Sequence, residues 1–360
     1  MNKKTIIIAE AGVNHNGSLE LAIELVKQAK QSGADYVKFQ TFSSDRLASI
    51  HAPKAMYQKQ TTNGASETQY DMLKRLELTA SMHEKIYEEC ERQGIQFLST
   101  PFDSDSLKYL DKNFAMDYIK LGSGEITNAP LLLDAAKTNK KIILSTGMAT
   151  LQEIEDALSV IGFGYYSSIT ELPSKEKFKA VYQKHTVREL LSSKVSLLHC
   201  TTEYPTQKSD VNLNAMNTMR NHFNVECGYS DHTEGVDVAL FAVAAGAHII
   251  EKHFTLDKSL PGPDHKASLD AEQLKYMVSR IREVEFILGD GVKAPVKSEL
   301  SNRLVARKGL KATQEIKKNQ LFTEQNIMPK RPENGRSPFD YWELLNQKST
   351  QEYTKDDAIS

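Results

Sequence analysis

The chain has little of what marks a secreted, membrane-bound or nucleic-acid-binding protein. Its three cysteines, Cys90, Cys200 and Cys227, are odd in number and widely spaced, so no disulfide framework is expected. No apolar stretch approaches the roughly 18 residues of a membrane span. Charge of one sign is not in excess either: 45 basic and 47 acidic residues leave a formal net charge of −2. Neither nucleic acid nor an anionic membrane is therefore expected as a partner, although a local basic pocket stays open. The opening "MNKKTIIIAEAG" sets two lysines before a short apolar run, but Glu10 interrupts that run too early for a signal peptide. The cytoplasm is the expected compartment.

What is there is a recurring unit. A short β-branched or apolar run ends in small, polar or charged residues, and a helix-period stretch follows. The runs are "IIIAEAGVNHN", "YVKFQTF", "FLSTPFD", "YIKLGSGE", "IILSTGM", "LLHCTTEYP", "GYSDHTEG" and "HIIEKHFTLD". Between them lie segments such as "SLELAIELVKQAKQSG", with Ser18 as the helix cap and Gly33 as its stop. Eight such repeats predict a (β/α)8 barrel over residues 1–288. Residues 43–66 form a long connection expected to act as a lid or substrate loop. Residues 162–194 form a charged insertion expected as a solvated helix on the barrel exterior. Residues 289–303 resemble a linker, and 304–360 a second small domain.

In such a barrel the strand C-terminal ends carry the active site. His232 and His253 fall at the ends of neighbouring strands, where neutral imidazoles could hold a catalytic metal ion with open positions. Hydrogen-bonded histidines in a polar barrel end are the plainer alternative. Lys38 and Lys120 lie inside apolar strands, and a buried lysine needs a negative partner. That partner is a structural carboxylate, a substrate phosphate or carboxylate, or is replaced by a Schiff base; an outward-facing lysine is also open. Thr100, Ser123, Ser145 and Ser230 add hydroxyls at further strand ends and complete a candidate anion cradle. Glu10, Glu125 and Asp264 supply carboxylates, and Gln40 and Tyr204 neutral hydrogen bonds for a polyhydroxylated or amide-bearing substrate.

The ordered motifs "IIAEAGVNHNGS", "VKFQTF", "STPFD", "KLGSGE", "STGMAT", "HCTTEYPT", "GYSDHT" and "EKHFTLDKSLPGPDHKASL" resemble the sialic acid synthase family over nearly the whole chain. "VARKGL" and "KRPENG" extend the resemblance to the antifreeze-like (SAF, β-clip) domain that those enzymes carry after a TIM barrel. The resemblance implies a transferase that condenses phosphoenolpyruvate, an N-acetylated amino sugar and water into a nine-carbon keto acid and phosphate. It implies a manganese or magnesium ion on His232 and His253. It places phosphoenolpyruvate on Lys38, Thr100, Lys120, Ser123, Ser145 and Ser230, with Glu10 and Glu125 at the reacting centre. Gln40, Asn63, Thr202, Tyr204 and Asp264 fall to the sugar. Arg331 would reach the sugar from the end domain of a partner chain in a homodimer.

Thr202 stands where some members have asparagine, which leaves two sugars open. N-acetylmannosamine, giving N-acetylneuraminate, comes slightly first; a 2,4-diacetamido-6-deoxy sugar, giving diacetyllegionaminate, is the alternative. Two rival classes are a barrel condensing phosphoenolpyruvate with a phosphorylated sugar and a non-catalytic binding protein working through its end domain. The first would need extra basic residues at the far end of the pocket. The second is opposed by the intact lysines and histidines.

Overall fold

Eight short strands, each rich in β-branched residues, pair in parallel. They are β1 (Ile6–Gly12), β2 (Tyr36–Thr41), β3 (Gln96–Pro101), β4 (Tyr118–Leu121), β5 (Lys141–Ser145), β6 (Val195–His199), β7 (Glu226–Asp231) and β8 (Ile249–His253). The computed structural model describes residues 4–62, 67–168 and 171–360. Strand order is β3-β2-β1-β8-β7-β6-β5-β4, so β1 pairs with β8, and the two end strands approach each other to close the wall. This is the expected (β/α)8 barrel.

Side chains alternate across each strand, and the two faces bury different layers. Ile8, Tyr36, Leu98, Ile143, Leu198 and Ile249 pack as one cluster, the filling of the barrel. Their strand neighbours, such as Ile7, Val37, Leu197 and Ile250, join the larger core beneath the helices. Ser18 caps the helix Leu19–Gln31 by accepting from the Leu21 N–H, and Gly33 follows its end at φ +84°. Both signals were readable in the sequence.

Two segments differ from a bare repeat. The 43–66 connection carries two short helices among its described residues, Ser44–Leu47 and Met56–Thr61, and a third, Gln69–Leu76, follows it. The 162–194 insertion carries the end of the helix Leu151–Tyr166 and two further helices, Lys175–Tyr182 and His185–Lys194. It is less solvated than its charge suggested. Val181, Tyr182, Val187 and Leu191 are buried, and the Phe163 and Phe178 rings meet edge-on at 5.2 Å. Apolar residues spaced for one helix face bury that face and leave the lysines outside.

The chain divides into two compact units, Met1–Asp290 and Gly291–Ser360. The second begins with a helix, Lys297–Ala306, over part of the stretch expected as a linker. It continues with an antiparallel pair, β9 (Gly309–Ala312) and β10 (Ile327–Lys330). Its own core contains Leu310, Ile316, Phe322, Ile327, Leu344, Tyr353 and Ile359.

Gly228 shows how tightly the barrel wall is drawn. A Cβ there would lie 2.5 Å from the Ile249 carbonyl oxygen and 2.7 Å from Leu198 Cδ2. Overpacking of this kind costs about 1–3 kcal/mol. Gly228→Ala is therefore expected to lower the melting temperature measured by calorimetry; an unchanged value would show that β6 and β8 yield freely at this level.

Candidate active site

The strand ends bring most of the expected residues into one cavity of about 350 Å³. Glu10, Lys38, Gln40, Thr100, Lys120, Ser123, Glu125, Ser145, Thr202, Tyr204, Ser230, His232, His253 and Asp264 all line it. Arg331 follows β10 in the second unit and is exposed. Asn63 lies outside the described residues.

The floor is a buried charge network. Lys38 Nζ sits 2.7 Å from Glu10 Oε2 and 3.7 Å from Glu251 Oε2, and donates to Thr100 Oγ1 at 3.2 Å. Lys120 Nζ sits 3.7 Å from Glu251 Oε1 and donates to Ser145 Oγ at 2.8 Å. Ser230 Oγ donates to Glu251 Oε1 at 2.9 Å. Glu251 therefore bridges both lysines. Burial opposes its ionisation, but Lys120 and Lys38 outweigh burial and hold its carboxyl down at about 2. Glu10 behaves differently: burial outweighs the pull of Lys38 and pushes its carboxyl up to about 7. Burial also raises Asp264 to about 6. One carboxylate is thus a permanent counter-ion, while another sits poised to exchange a proton near neutral pH.

Around this floor, Gln40 Nε2 donates to Glu10 Oε1 at 3.3 Å. Ser123 Oγ lies 3.2 Å from Cys200 Sγ and accepts from the Gly147 N–H at 2.9 Å. Glu125, in the 3-10 turn Ser123–Glu125, accepts from Asn128 Nδ2 at 2.6 Å. Thr202 Oγ1 is buried and has no hydrogen-bond partner among the described residues.

The two histidines face each other with ring centroids 5.8 Å apart, and the Tyr204 ring lies 4.3 Å from His232 and 5.8 Å from His253. His232 Nδ1 is 2.6 Å from the Thr201 carbonyl, which can only accept, so Nδ1 carries the proton and Nε2 keeps its lone pair. His253 Nδ1 is buried with no hydrogen-bond partner among the described residues, 3.9 Å from Asp264 Oδ2. Burial lowers the pKa of both imidazoles, that of His253 well below its ordinary value. Both are therefore neutral at pH 7, the form that binds a metal. Among the described residues no group of three or more His, Cys, Asp and Glu side chains could hold an ion by itself. The fit is to an ion on two imidazoles, with its other positions left to water and substrate.

One wall of the cavity is apolar. Val13, Leu47, Met72, Leu73, Leu76 and Phe102 line it, and all six pack together with Phe42 beside the helices that follow β2.

Residues 25–293 match the model of the NeuB family. The chain belongs to the NeuB family. It is 46% identical over 357 residues to N,N'-diacetyllegionaminic acid synthase of Campylobacter jejuni, covering 99% of each chain. It is 42% identical over 342 residues to the synthase of the same name from Legionella pneumophila, covering 95% of this chain and 89% of that one. A solved sialic acid synthetase from Leptospira borgpetersenii, crystallised with citrate, is 32% identical with a TM-score of 0.67, over 84% of this chain and 90% of that one. Membership makes the chain an enzyme, a transferase of the synthase type. Among the described residues no helix is long and apolar enough to cross a membrane.

In this NeuB-family site the two-residue period already sets Glu251 on the inward face of its strand beneath His253, but it does not reveal that Glu251 bridges both lysines. The apolar wall of Leu47, Met72, Leu73 and Leu76 was not anticipated from the sequence.

The proton affinities of Glu10 and Asp264 make the stability of the ligand-free protein pH-dependent. A carboxyl raised on folding contributes stability that is whole below its unfolded value, 4.5 for Glu10, and lost as pH rises through the folded value of about 7. Melting temperature should fall between about pH 5 and 8, and Glu10→Gln should flatten that slope. An unaltered slope in the variant would assign the titration to other groups.

Proposed function

We propose that this enzyme is an N,N'-diacetyllegionaminate synthase. It condenses phosphoenolpyruvate with 2,4-diacetamido-2,4,6-trideoxymannose and water, and releases phosphate. The observation that carries the reading is the division of the cavity into a cationic floor and an apolar wall. A doubly anionic substrate suits Lys38 and Lys120 with their ring of hydroxyls. A sugar ending in a methyl group suits Leu47, Met72 and Leu73, where the terminal hydroxyl of N-acetylmannosamine would lose its water without a partner. The names of the relatives point the same way, and so move weight from N-acetylneuraminate to diacetyllegionaminate.

The residues then divide the work. Lys38, Thr100, Lys120, Ser123, Ser145 and Ser230 hold the phosphate and carboxylate of phosphoenolpyruvate and turn C3 toward the sugar aldehyde. Gln40, Tyr204, Thr202, Glu125 and Asp264 hold the open-chain sugar. C3 bonds to the aldehyde carbon, whose oxygen takes up a proton. Water adds at C2, and the C2–O bond to phosphate breaks. A metal ion on His232 and His253 would supply Lewis-acid polarisation of the aldehyde. Glu10 takes the proton of the added water. With its carboxyl at about 7, Glu10 is partly ionised at neutral pH and can act as that base.

Phosphate release with phosphoenolpyruvate, Mn²⁺ and a panel of sugars tests the reading. The diacetamido-6-deoxy sugar should exceed N-acetylmannosamine in kcat/KM by about ten- to two-hundredfold, the range one methyl-sized or hydroxyl difference gives in an apolar pocket. The reverse order would transfer the assignment to N-acetylneuraminate. No release with any N-acetylated sugar would remove the synthase reading altogether.

The resemblance also assigns Arg331 to a partner chain's sugar site in a homodimer. Inactive Arg331→Ala and Lys38→Ala chains, mixed and allowed to exchange, should then recover about a quarter of wild-type activity, since half the dimers are mixed and one site of each is intact. If the arginine serves its own chain, mixing recovers nothing.

A further inference from the structure

Lys252 stands between Glu251 and His253 in the sequence, yet neither Lys252 nor Asp231 lines the cavity. Alternation explains this: Ser230 and His232 point into the barrel mouth from β7, Glu251 and His253 from β8, and Asp231 and Lys252 point the other way. There they meet, both side chains fully buried, with Nζ 2.8 Å from Asp231 Oδ2. Lys252 Nζ also donates to the Thr233 carbonyl at 2.5 Å. Asp231 Oδ1 accepts from the Thr233 N–H at 2.9 Å and from Thr233 Oγ1 at 2.7 Å. The pair coincides with the last register match of the β7–β8 ladder, Asp231 against Lys252. His232 and His253 each stand one residue beyond it.

We propose that Asp231, Lys252 and Thr233 form a clamp that fixes the separation of the two imidazoles and so sets the enzyme's affinity for its metal ion. The β7–β8 ladder ends at this pair: beyond it His253 is matched to Glu10 of β1, and the His232 carbonyl accepts from the Thr206 N–H at 2.9 Å. The clamp carries the tie between the two histidine-bearing strands past the end of their own ladder. Lys252 reaches from β8 across to the Thr233 carbonyl on the far side of His232, and Asp231 holds the same residue by its N–H and its hydroxyl. Burying an ion pair gains little stability over a well-packed apolar pair of the same volume. Directional bonds are what such an apolar pair lacks, and the position of a ligand is what they constrain. The three are positioning residues; they touch neither substrate nor ion.

This inference rests on the reading of His232 and His253 as metal ligands, and the test separates the two. The double variant Asp231→Leu/Lys252→Met keeps the burial and removes the directional bonds. Mn²⁺ binding to the substrate-free protein is followed by electron paramagnetic resonance, melting temperature in chelator by calorimetry, and phosphoenolpyruvate affinity by isothermal titration. The expected result is a Mn²⁺ Kd raised about 10- to 100-fold, with phosphoenolpyruvate affinity close to wild type and a cooperative melting transition. Thr233→Val, which keeps shape and the buried ion pair and removes only the hydroxyl bond to Asp231, should fold even if the double variant does not, and should weaken Mn²⁺ in the same direction. Unchanged Mn²⁺ affinity in a folded variant overturns the clamp. Failure of the wild type to bind Mn²⁺ overturns the clamp together with the metal reading.

Discussion

The site depends on two ammonium groups held inside an apolar barrel. Lys38 and Lys120 are almost completely buried, and a charge so placed persists only with a partner. Glu251 supplies it for both, and its own ionisation is secured by the same two lysines. The rest of the floor follows from this arrangement. Ser230, Thr100 and Ser145 each add a hydrogen bond to this network. Glu10, left with only a share of Lys38, keeps a proton affinity near neutrality.

That imbalance between two carboxylates gives the proposed reaction its direction. A strongly ionised Glu251 keeps the cradle cationic but not over-charged, so it can receive an anion. A weakly ionised Glu10 can change protonation state as the anion arrives. The same low-dielectric surroundings keep both imidazoles neutral and available as ligands. Burial thus acts with opposite consequences on neighbouring groups, according to the charge each has within reach.

Much of this was legible in the chain itself. The period-two runs ending in polar residues announced the barrel, and Ser18 and Gly33 announced a helix's two ends. Lys38 and Lys120 stood out because lysine inside an apolar strand demands an explanation. Residues at strand ends converge in any such barrel, so His232 and His253 could be placed together without coordinates. The insertion at 162–194 was harder to read: its lysines dominate the composition, whereas its few apolar residues decide its packing.

The sequence by itself determined the repeat, the strand ends and the chemical types gathered there, because strand alternation and helix period are local properties of the chain. Only the tertiary structure decided which carboxylate faces which lysine, since Glu10, Lys38, Lys120 and Glu251 come from four different strands. It likewise decided that Leu47, Leu73 and Leu76 line one wall of the cavity, and that Asp231 and Lys252 close on each other behind it. Pairing energies and proton affinities depend on distance and burial across the barrel, and neither is encoded in any single stretch of the chain.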